Sequence, residues 1–258
     1  MPTSLSGLRV LVTRPEAQAQ SILEALKQQG ANAWHFPLVK IAPIEPPASP
    51  HLLDYLSHYD VAIFISPTAV NRLAEVLAEP RLLPKTLNLA CIGNGSAREL
   101  KRNFAREADI LPDVAATQDS ESLLKSTQLT EKSIQNKNIL IIRGKGGREK
   151  LATVLRQRNA KVDYLELYQR VKPTADPAPL LQSIAAHDLN AIIIYSSEAL
   201  HNLMQLVTEP LSPKLLDIPL LTIHPRQAET AASYGFAHIY LSQGAAVENI
   251  IQTLKSIN

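Results

Sequence analysis

The sequence predicts an α/β protein with two similar lobes, each built around a doubly wound parallel sheet. Three observations predict this fold. Short apolar runs alternate with longer amphipathic segments along the 258 residues, and parts of the first half recur about 130 residues later. Two long extended segments also fall at equivalent places in the repeat. Two similar lobes are expected to form a cleft between them.

The repeat is carried by three separate pairs of segments. Because they share nearly one offset, the pattern indicates a duplicated α/β unit, and its period is too long for a solenoid repeat. The aligned segments are residues 11–30 with 141–160, residues 64–73 with 194–203, and the proline-rich tracts Pro43–Pro50 with Pro173–Pro179.

Strands and helices are predicted in strict alternation. The apolar runs are too continuous for a sheet with one solvated face, so they are typical of strands buried on both faces of a parallel sheet. The predicted strands are Leu8–Thr13, Val61–Ile65, Leu89–Ile92, Asp109–Leu111, Asn138–Ile142, Ala191–Tyr195, Leu220–Ile223 and His238–Leu241. The helices between them include Glu16–Gln29, Ala69–Ala78 and Val247–Ser256, and Gly30 is a good end for the first.

Two extended segments, Trp34–Ile44 and Val162–Lys172, interrupt this alternation and predict crossing strands that pair as a two-stranded linker. If the chain crosses between the lobes twice, one lobe is continuous and the other uses both ends of the chain. The predicted layout is residues 1–33 with 174–258 for lobe 1, residues 46–160 for lobe 2, and residues 34–45 and 161–173 for the linker. A plain tandem of two lobes that divides near residue 130 is the alternative.

Composition restricts the class of protein. The net charge of +2 argues against a strongly basic nucleic-acid surface. Cys91 is the only cysteine, so no internal disulfide is expected and a reducing compartment fits. There is no secretory apolar region and no run of 18 apolar residues, so we expect a cytoplasmic protein without a membrane segment. Neither a metal-ligand spacing nor a nucleotide-binding glycine motif is present in the sequence.

The turns after the predicted strands are the candidate binding sites, because ligands of parallel α/β sheets bind beyond the carboxyl ends of the strands. Helix N-termini there attract anions, and cations among them would suit a ligand with several carboxylates. Helix capping alone would also explain the serines, and ordinary surface exposure would explain the charged residues. The candidates are Arg14, Ser66, Ser96, Arg143, Lys145, Arg148, Ser197, His224 and Arg226.

Two tyrosines are further candidates. Tyr164 and Tyr168 alternate on one face of the second extended segment with Glu166 and Arg170, where they could equally be structural. The sequence shows neither a Ser-His-Asp arrangement nor a close carboxylate pair, so it offers no residues for the common hydrolytic mechanisms.

Six motifs, taken in order, resemble the uroporphyrinogen-III synthase family. The similarity runs from about residue 8 to residue 254, and it implies two flavodoxin-like lobes joined by a two-stranded β-ladder. The motifs are LVTRP at residues 11–15, ISPTAV at 65–70, CIGNGS at 91–96, LIIRG at 140–144, LYQR at 167–170 and IYSS at 194–197.

The resemblance also implies a reaction. Members of this family cyclise hydroxymethylbilane, a linear tetrapyrrole rich in carboxylates, with loss of water and inversion of ring D through azafulvene and spiro intermediates. They use neither a cofactor nor a metal. Tyr168 matches the family tyrosine suggested to donate a proton to the departing hydroxyl. The implied partners are the small-molecule substrate and, transiently, the preceding enzyme of the pathway, with the chain a monomer and with no nucleic acid or membrane as a partner.

Two turns depart from the Gly-x-x-Thr pattern of the family. The first reads GNGS at residues 93–96, and the second reads HPRQ at residues 224–227, so we hypothesise that His224 or Arg226 replaces the missing contact. A non-catalytic two-lobed module that binds a polycarboxylate is the alternative function. A phospho-acceptor regulatory protein is a third, but it would need acidic residues where this chain has Thr13 and Arg14.

Overall fold

The computed structural model describes residues 5–46, 52–77, 82–113 and 119–257. The predicted helix end at Ala78 and part of the first proline-rich tract lie outside these ranges. The strands are β1 Arg9–Val12, β2 Asn32–His35, β3 Lys40–Pro43, β4 Val61–Phe64, β5 Asn88–Cys91, β6 Asn138–Gly144, β7 Lys161–Val171, β8 Ala191–Ile194, β9 Leu220–Thr222 and β10 Ile239–Leu241.

Helices connect these strands as the alternation predicts. A short 3₁₀ helix also lies at Thr127–Leu129. The α-helices are α1 Glu16–Gln28, α2 Leu52–Ser57, α3 Pro67–Leu77, α4 Asn94–Phe104, α5 Ser120–Leu123, α6 Glu131–Ile134, α7 Lys150–Gln157, α8 Ala178–Ala185, α9 Ser197–Leu206, α10 Ser212–Asp217, α11 Pro225–Tyr234 and α12 Val247–Leu254. Within the described ranges, no helix is both long enough and apolar enough to cross a bilayer.

The chain divides into two compact units, each with its own sheet. Unit 1 consists of Met1–Ile41 and Val171–Asn258, and unit 2 consists of Ala42–Arg170. The first sheet has the strand order β10-β9-β8-β1-β2 and the second has the order β3-β7-β6-β4-β5. The pairs β1–β2, β1–β8, β8–β9 and β9–β10 are parallel, as are β4–β5, β4–β6 and β6–β7. The expected α/β architecture with two parallel sheets is therefore confirmed.

The sheet of unit 1 is covered on both faces, as continuous apolar strands require. Val10 and Val12 belong to one buried cluster and Leu11, between them, belongs to another, because alternate residues of a strand face opposite sides. Helices α1 and α12 contribute to the first cluster, and helices α8 to α11 contribute to the second. The core of this unit therefore consists of two apolar layers with the sheet between them.

Unit 2 has the same organisation. Ile63, Ile139 and Ile141 pack with side chains of α5, α6 and α7 on one face of the sheet, while Ala62 and Phe64 are buried toward the other. Helix α3 packs against β4 and β6. Beyond β5, an isolated parallel bridge joins Ala90 to Ile110 at the place where a strand was predicted.

The repeat determines the order of the strands in both sheets. Strands β1, β2, β8, β9 and β10 begin about 130 residues from β6, β7, β4, β5 and the Ile110 bridge, respectively. Equivalent strands occupy equivalent positions, since β2-β1-β8-β9-β10 corresponds to β7-β6-β4-β5 followed by that bridge. Each unit therefore combines two strands of one sequence half with the strands of the other half.

The extended segment predicted at residues 34–45 is two short strands rather than one crossing strand. Strand β2 ends at His35 in the first sheet, and β3 begins at Lys40 beside β7 in the second sheet. Pro37 lies between the two strands, and the N–H groups of Phe36 and Leu38 on either side of it donate to the carbonyls of Val12 and Thr13 at 3.0 and 3.2 Å. The segment at 161–173 forms the single strand β7, which also pairs with β6. Only the second part of the first segment, β3, therefore pairs with β7, and it does so within a five-stranded sheet.

Cys91 offers a specific probe for the opening of unit 2. Its side chain on β5 is fully buried, and burial raises the pKa of the thiol to about 12. Because a thiol reacts as the thiolate, we expect the folded protein to resist a thiol-specific reagent until unit 2 opens. This is the only cysteine of the chain, so the labelling signal has a single source.

We expect Leu73→Ala to accelerate the labelling of Cys91 and Leu203→Ala to leave its rate unchanged. Leu73 on α3 and Leu203 on α9 are repeat equivalents, and both are fully buried, but they belong to units 2 and 1 respectively. Truncation of a buried leucine costs about 2 kcal/mol or more, which corresponds to an acceleration of about 30-fold. Equal acceleration by both variants would contradict the division into units.

Candidate active site

Unit 2 contains a cavity of about 320 Å³ beyond the carboxyl ends of β4, β6 and β7. In this sheet, β4 and β6 lie at the point where the strand order reverses, which is where ligands of doubly wound sheets bind. The polar side chains that line the cavity are Asp119, Ser120, Glu121, Arg143, Arg148, Tyr164, Tyr168 and Arg170. Its wall is therefore rich in arginine and tyrosine.

Tyr168 lies on the wall of this cavity with its side chain only 1% exposed. Its hydroxyl oxygen is 2.9 Å from Oγ of Ser66. Ser66 precedes α3, and its Oγ also accepts a hydrogen bond from the N–H of Ala69 at 3.1 Å, as an N-cap residue does. The capping interaction therefore holds Ser66 in position beside the phenol, so its capping role and its predicted binding role are compatible.

Gly144 allows the ring of Tyr168 to lie against the backbone of β6. A Cβ atom at position 144 would lie only 2.5 Å from Cε2 of Tyr168. The register between β6 and β7 shifts between Arg143 and Gly144, and the N–H of Lys145 donates to the carbonyl of Tyr168 at 2.7 Å. Because Gly144 has no side chain at this register shift, the ring of Tyr168 can pack directly against the backbone of β6.

Arg143 is a buried cation, 3% exposed, at the same edge of the sheet. Its Nη1 donates to Oε1 of Glu149 at 3.1 Å, its Nε donates to the carbonyl of Gly144 at 3.2 Å, and its guanidinium lies 4.6 Å from the ring centroid of Tyr164. The hydroxyl of Tyr164 donates to Oε2 of Glu149. The guanidinium and the phenol therefore hold the same carboxylate.

These contacts shift two ionisation equilibria. The hydrogen bond from Tyr164, followed by that from Arg143, lowers the pKa of Glu149 below its usual value, so this carboxylate stays charged at neutral pH. Burial, together with the hydrogen bond to Glu149, raises the pKa of Tyr164, so its phenol stays neutral. Arg156 lies 5.5 Å from the same ring and adds positive charge.

The other candidates of unit 2 are less closely engaged. Lys145 and Arg148 are exposed in the loop after β6, although Arg148 lines the cavity together with Tyr168. Ser96 is buried in the first turn of α4, and Gly93, rather than Ser96, occupies the N-cap position of that helix. The structure therefore brings Tyr168 and Arg148 to one cavity, places Ser66 in contact with Tyr168, and places Ser96 on a separate helix.

In unit 1, Arg14 follows β1 and lies against an aromatic ring at the end of β8. Its guanidinium carbon is 4.4 Å from the ring centroid of Tyr195. Within the described part of the chain, neither Nε of Arg14 nor the hydroxyl of Tyr195 has a hydrogen-bond partner, although both atoms are buried. Burial lowers the pKa of Arg14 and raises the pKa of Tyr195 to about 12, and the positive charge of Arg14 opposes the second shift.

The remaining candidates of unit 1 lie at the ends of β8 and β9. Ser196, rather than Ser197, caps α9, because its Oγ accepts from the N–H of Ala199 at 3.0 Å. His224 caps α11 through Nδ1, which accepts from the N–H of Arg226 at 3.1 Å, and both residues are exposed. The geometry thus assigns a capping role to His224 and leaves the guanidinium of Arg226 at the surface.

Glu149 and Tyr195 are the site residues that sequence reasoning did not select, whereas Arg143 and Tyr164 were already candidates. The repeat relates the two arginines to each other, because Arg143 follows Arg14 by 129 residues and each lies at the end of an equivalent strand. The partners of these arginines come from different elements in the two units, so the repeat could not identify them. Among the described residues, no cluster of three or more His, Cys, Asp or Glu side chains is suited to a metal ion.

Gly144→Ala should lower the free energy of unfolding by about 1–3 kcal/mol, because the added Cβ overlaps the ring of Tyr168. Urea denaturation followed by circular dichroism measures this change. In a Tyr168→Ala background the overlap is absent, so the same glycine substitution should cost much less there. Strictly additive effects of the two substitutions would show that the ring contact does not constrain position 144.

Comparison with known proteins identifies the family. The family model described as uroporphyrinogen-III synthase HemD matches residues 20–252. The uroporphyrinogen-III synthase of Escherichia coli is 28% identical over 253 residues, which covers 96% of this chain and 100% of that protein. That of Proteus mirabilis is 36% identical over 166 residues, which covers 64% of this chain and 81% of that protein.

The fold agrees with this result. The crystal structure of uroporphyrinogen-III synthetase from Helicobacter pylori superposes with a TM-score of 0.64 at 13% identity and covers 97% of this chain and 100% of that one. A mutant of the Thermus thermophilus enzyme superposes with a TM-score of 0.62 at 15% identity, with 97% and 98% coverage. Because the family model extends over most of the sequence, the chain belongs to the uroporphyrinogen-III synthase family.

Proposed function

We propose that this protein cyclises hydroxymethylbilane to uroporphyrinogen III, with loss of water and inversion of ring D, as a lyase of heme and siroheme biosynthesis. The observation that carries the proposal is Tyr168, which is buried on the wall of an arginine-lined cavity with its hydroxyl 2.9 Å from Oγ of the half-buried Ser66, in a chain that belongs to this family. Family membership also favours an enzyme over the alternative of a non-catalytic binding module. The reaction is proposed to need neither a metal nor a cofactor.

The main task proposed for the protein is to restrain a flexible polyanion. Fixing reacting groups in one geometry can lower a barrier by about 7–11 kcal/mol in favourable cases, and cations with helix N-termini are suited to hold carboxylates. The residues proposed to bind the substrate are Arg14, Ser66, Ser96, Lys145, Arg148, Ser197, His224 and Arg226. The proposed lobes that carry them are residues 1–33 with 174–258 and residues 46–160, with the linker at 34–45 and 161–173.

Tyr168 is proposed as the proton donor for the departing hydroxyl. Its O–H bond breaks as the carbon–oxygen bond of the hydroxymethyl group breaks, so the hydroxyl leaves as water and a protonated azafulvene (an azafulvenium cation) remains. Ser66 can donate its hydroxyl hydrogen to the phenolate oxygen that forms, because Oγ of Ser66 already accepts a hydrogen bond from the N–H of Ala69 and its own O–H is left to donate. The proton released when the macrocycle closes restores the phenol. The low exposure of Tyr168 limits competing contact with water.

The cellular setting is part of the proposal. We propose that the protein works as a monomer in the cytoplasm, where a single free thiol is compatible with reducing conditions. A transient contact with the preceding enzyme of the pathway would deliver a substrate that cyclises without help to the wrong isomer.

The function is tested with freshly made hydroxymethylbilane. The purified protein should yield isomer III faster than the uncatalysed reaction yields isomer I, and chromatography of the oxidised products separates the two. Isomer I alone, formed at the uncatalysed rate, would overturn the proposal.

Tyr168→Phe should lower kcat by about 10²-fold or more, because the substitution removes a general acid and keeps the ring that packs against Gly144. The loss of the hydrogen bond to Ser66 should cost only about 1 kcal/mol of stability. Tyr240→Phe, at a partly buried tyrosine on β10 of unit 1, is the matched control and should keep full activity. A normal kcat for the Tyr168→Phe variant would return Tyr168 to a structural role.

A further inference from the structure

We propose that Glu149 is an internal competitor of the substrate: it occupies a carboxylate receptacle formed by Arg143 and Tyr164, and a carboxylate of the tetrapyrrole displaces it. The identity of the ligand rests on the proposed function. The receptacle itself rests on the geometry of these three side chains.

The receptacle presents two converging donors. Nη1 of Arg143 reaches Oε1 of Glu149 at 3.1 Å, and the hydroxyl of Tyr164 reaches Oε2 of the same carboxylate. The guanidinium lies over the phenol ring at 4.6 Å, which fixes the two donors relative to each other. Any carboxylate placed between them would find the same pair of hydrogen bonds, both of which are charge-assisted because the acceptor is ionised.

The two partners of the ion pair differ greatly in their exposure to solvent. The side chain of Arg143 is 4% exposed, whereas that of Glu149 is 59% exposed. A buried cation that loses its anion is strongly destabilised, so Arg143 requires a carboxylate partner. An exposed carboxylate returns to water at little cost. Exchange of Glu149 for another carboxylate therefore keeps the arginine satisfied, and this asymmetry favours displacement.

The backbone beside the receptacle leaves the guanidinium of Arg143 uncovered at Gly147. A Cβ atom at position 147 would lie 3.0 Å from Nη2 of Arg143, so the glycine there keeps space next to the guanidinium. Gly147 has a φ of 100°, a conformation that residues with side chains rarely adopt. Both the steric and the conformational requirement therefore select glycine at this position.

The receptacle belongs to the cavity that contains the proposed proton donor. Arg143, Tyr164, Arg148 and Tyr168 all line this space of about 320 Å³. A polycarboxylate that contacts Tyr168 therefore has a carboxylate site within the same cavity. The second guanidinium, that of Arg156, lies 5.5 Å from the ring of Tyr164 and favours an anion there even while Glu149 is bound. The lowered pKa of Glu149 agrees with this positive surrounding.

Glu149→Gln is the direct test, because the amide keeps the shape of the side chain and removes its charge. We expect the KM for hydroxymethylbilane to fall by about 5-fold with kcat unchanged. The dissociation constant of uroporphyrin III, an octacarboxylate measured by fluorescence titration, should fall by a similar factor. This second measurement does not depend on turnover, so it reports on the receptacle even if the wild-type protein forms no isomer III.

Glu121→Gln is the matched control. Glu121 lines the same cavity, but its carboxylate pairs with Lys150 at 3.0 Å rather than with Arg143. The substitution removes one negative charge from the same region, so it measures the general electrostatic effect. An equal gain in affinity from both variants would overturn the proposal, and so would weaker binding by Glu149→Gln.

The gain from Glu149→Gln should also depend on the receptacle. In an Arg143→Gln background, where binding is expected to be weaker, the Glu149 substitution should no longer improve affinity. Should Arg143→Gln not fold, Tyr164→Phe serves the same purpose, because it keeps the ring and removes one donor, and it should reduce the gain. A gain of full size in both backgrounds would show that Glu149 acts through other groups. Absence of isomer III from the wild-type protein would instead reject the proposed function alone.

Discussion

The parallel pairing of β1 with β8 and of β4 with β6 is the constraint on which the rest of the structure depends. Each pair joins strands from different halves of the duplicated sequence. Equivalent hydrogen bonds lie at the start of both strand pairs. The N–H of Arg9 donates to Oδ1 of Asn190 at 2.8 Å, and the N–H of Asn138 donates to Oδ2 of Asp60 at 2.8 Å. Each unit of the fold can therefore form only when distant parts of the chain meet.

This pairing also determines where chemistry can be placed. At the other end of the β1–β8 pair, the hydroxyl of Thr13 donates to the carbonyl of Ile193 at 2.6 Å, which holds the two strand ends together. Serines at equivalent places, Ser66 and Ser196, each accept a hydrogen bond from the third residue after them and so fix the start of a helix. The positions beside these caps are where Tyr168 and Tyr195 lie. Rigid strand ends thus hold the candidate side chains of each unit.

The sequence predicted the strands well because buried parallel strands have continuous apolar runs, and Val61–Phe64 and Ala191–Ile194 were expected within one residue of their ends. It did not separate the two short strands at residues 34–45, because the run is apolar on both sides of Pro37. Apolar periodicity reports burial, and it does not report where a ladder is interrupted.

Prediction of the candidate site was less complete for a different reason. Tyr168 came from the resemblance to a family, and Ser66 came from its position after a strand. The pair formed by Glu149 and Tyr164 depends on the path of a loop that passes through Gly146 and Gly147, and no periodic signal encodes such a path. Contacts between a loop and a strand follow from tertiary geometry, so sequence patterns alone could not supply them.

Arg14 and Arg143 show how a duplicated framework can place two arginines in different surroundings. Both follow equivalent strands, but Arg14 lies over Tyr195 from the neighbouring strand β8, whereas Arg143 lies over Tyr164 from β7 and binds a carboxylate of its own chain. Burying a polar group without a partner costs about 1–3 kcal/mol.

In unit 1 the free-energy cost of burying unpaired polar atoms arises at Nε of Arg14 and at the hydroxyl of Tyr195, which lack hydrogen-bond partners among the described residues. Unit 2 avoids it at Arg143 through Glu149. An acceptor that binds at Arg14 would satisfy atoms that are already desolvated, so it needs to displace nothing. An acceptor that binds at Arg143 must exchange with Glu149, so its affinity is reduced by the stability of that ion pair. The duplication therefore supplied two arginines at equivalent positions, and their different neighbours lead us to propose a direct binding site at one and a competitive site at the other.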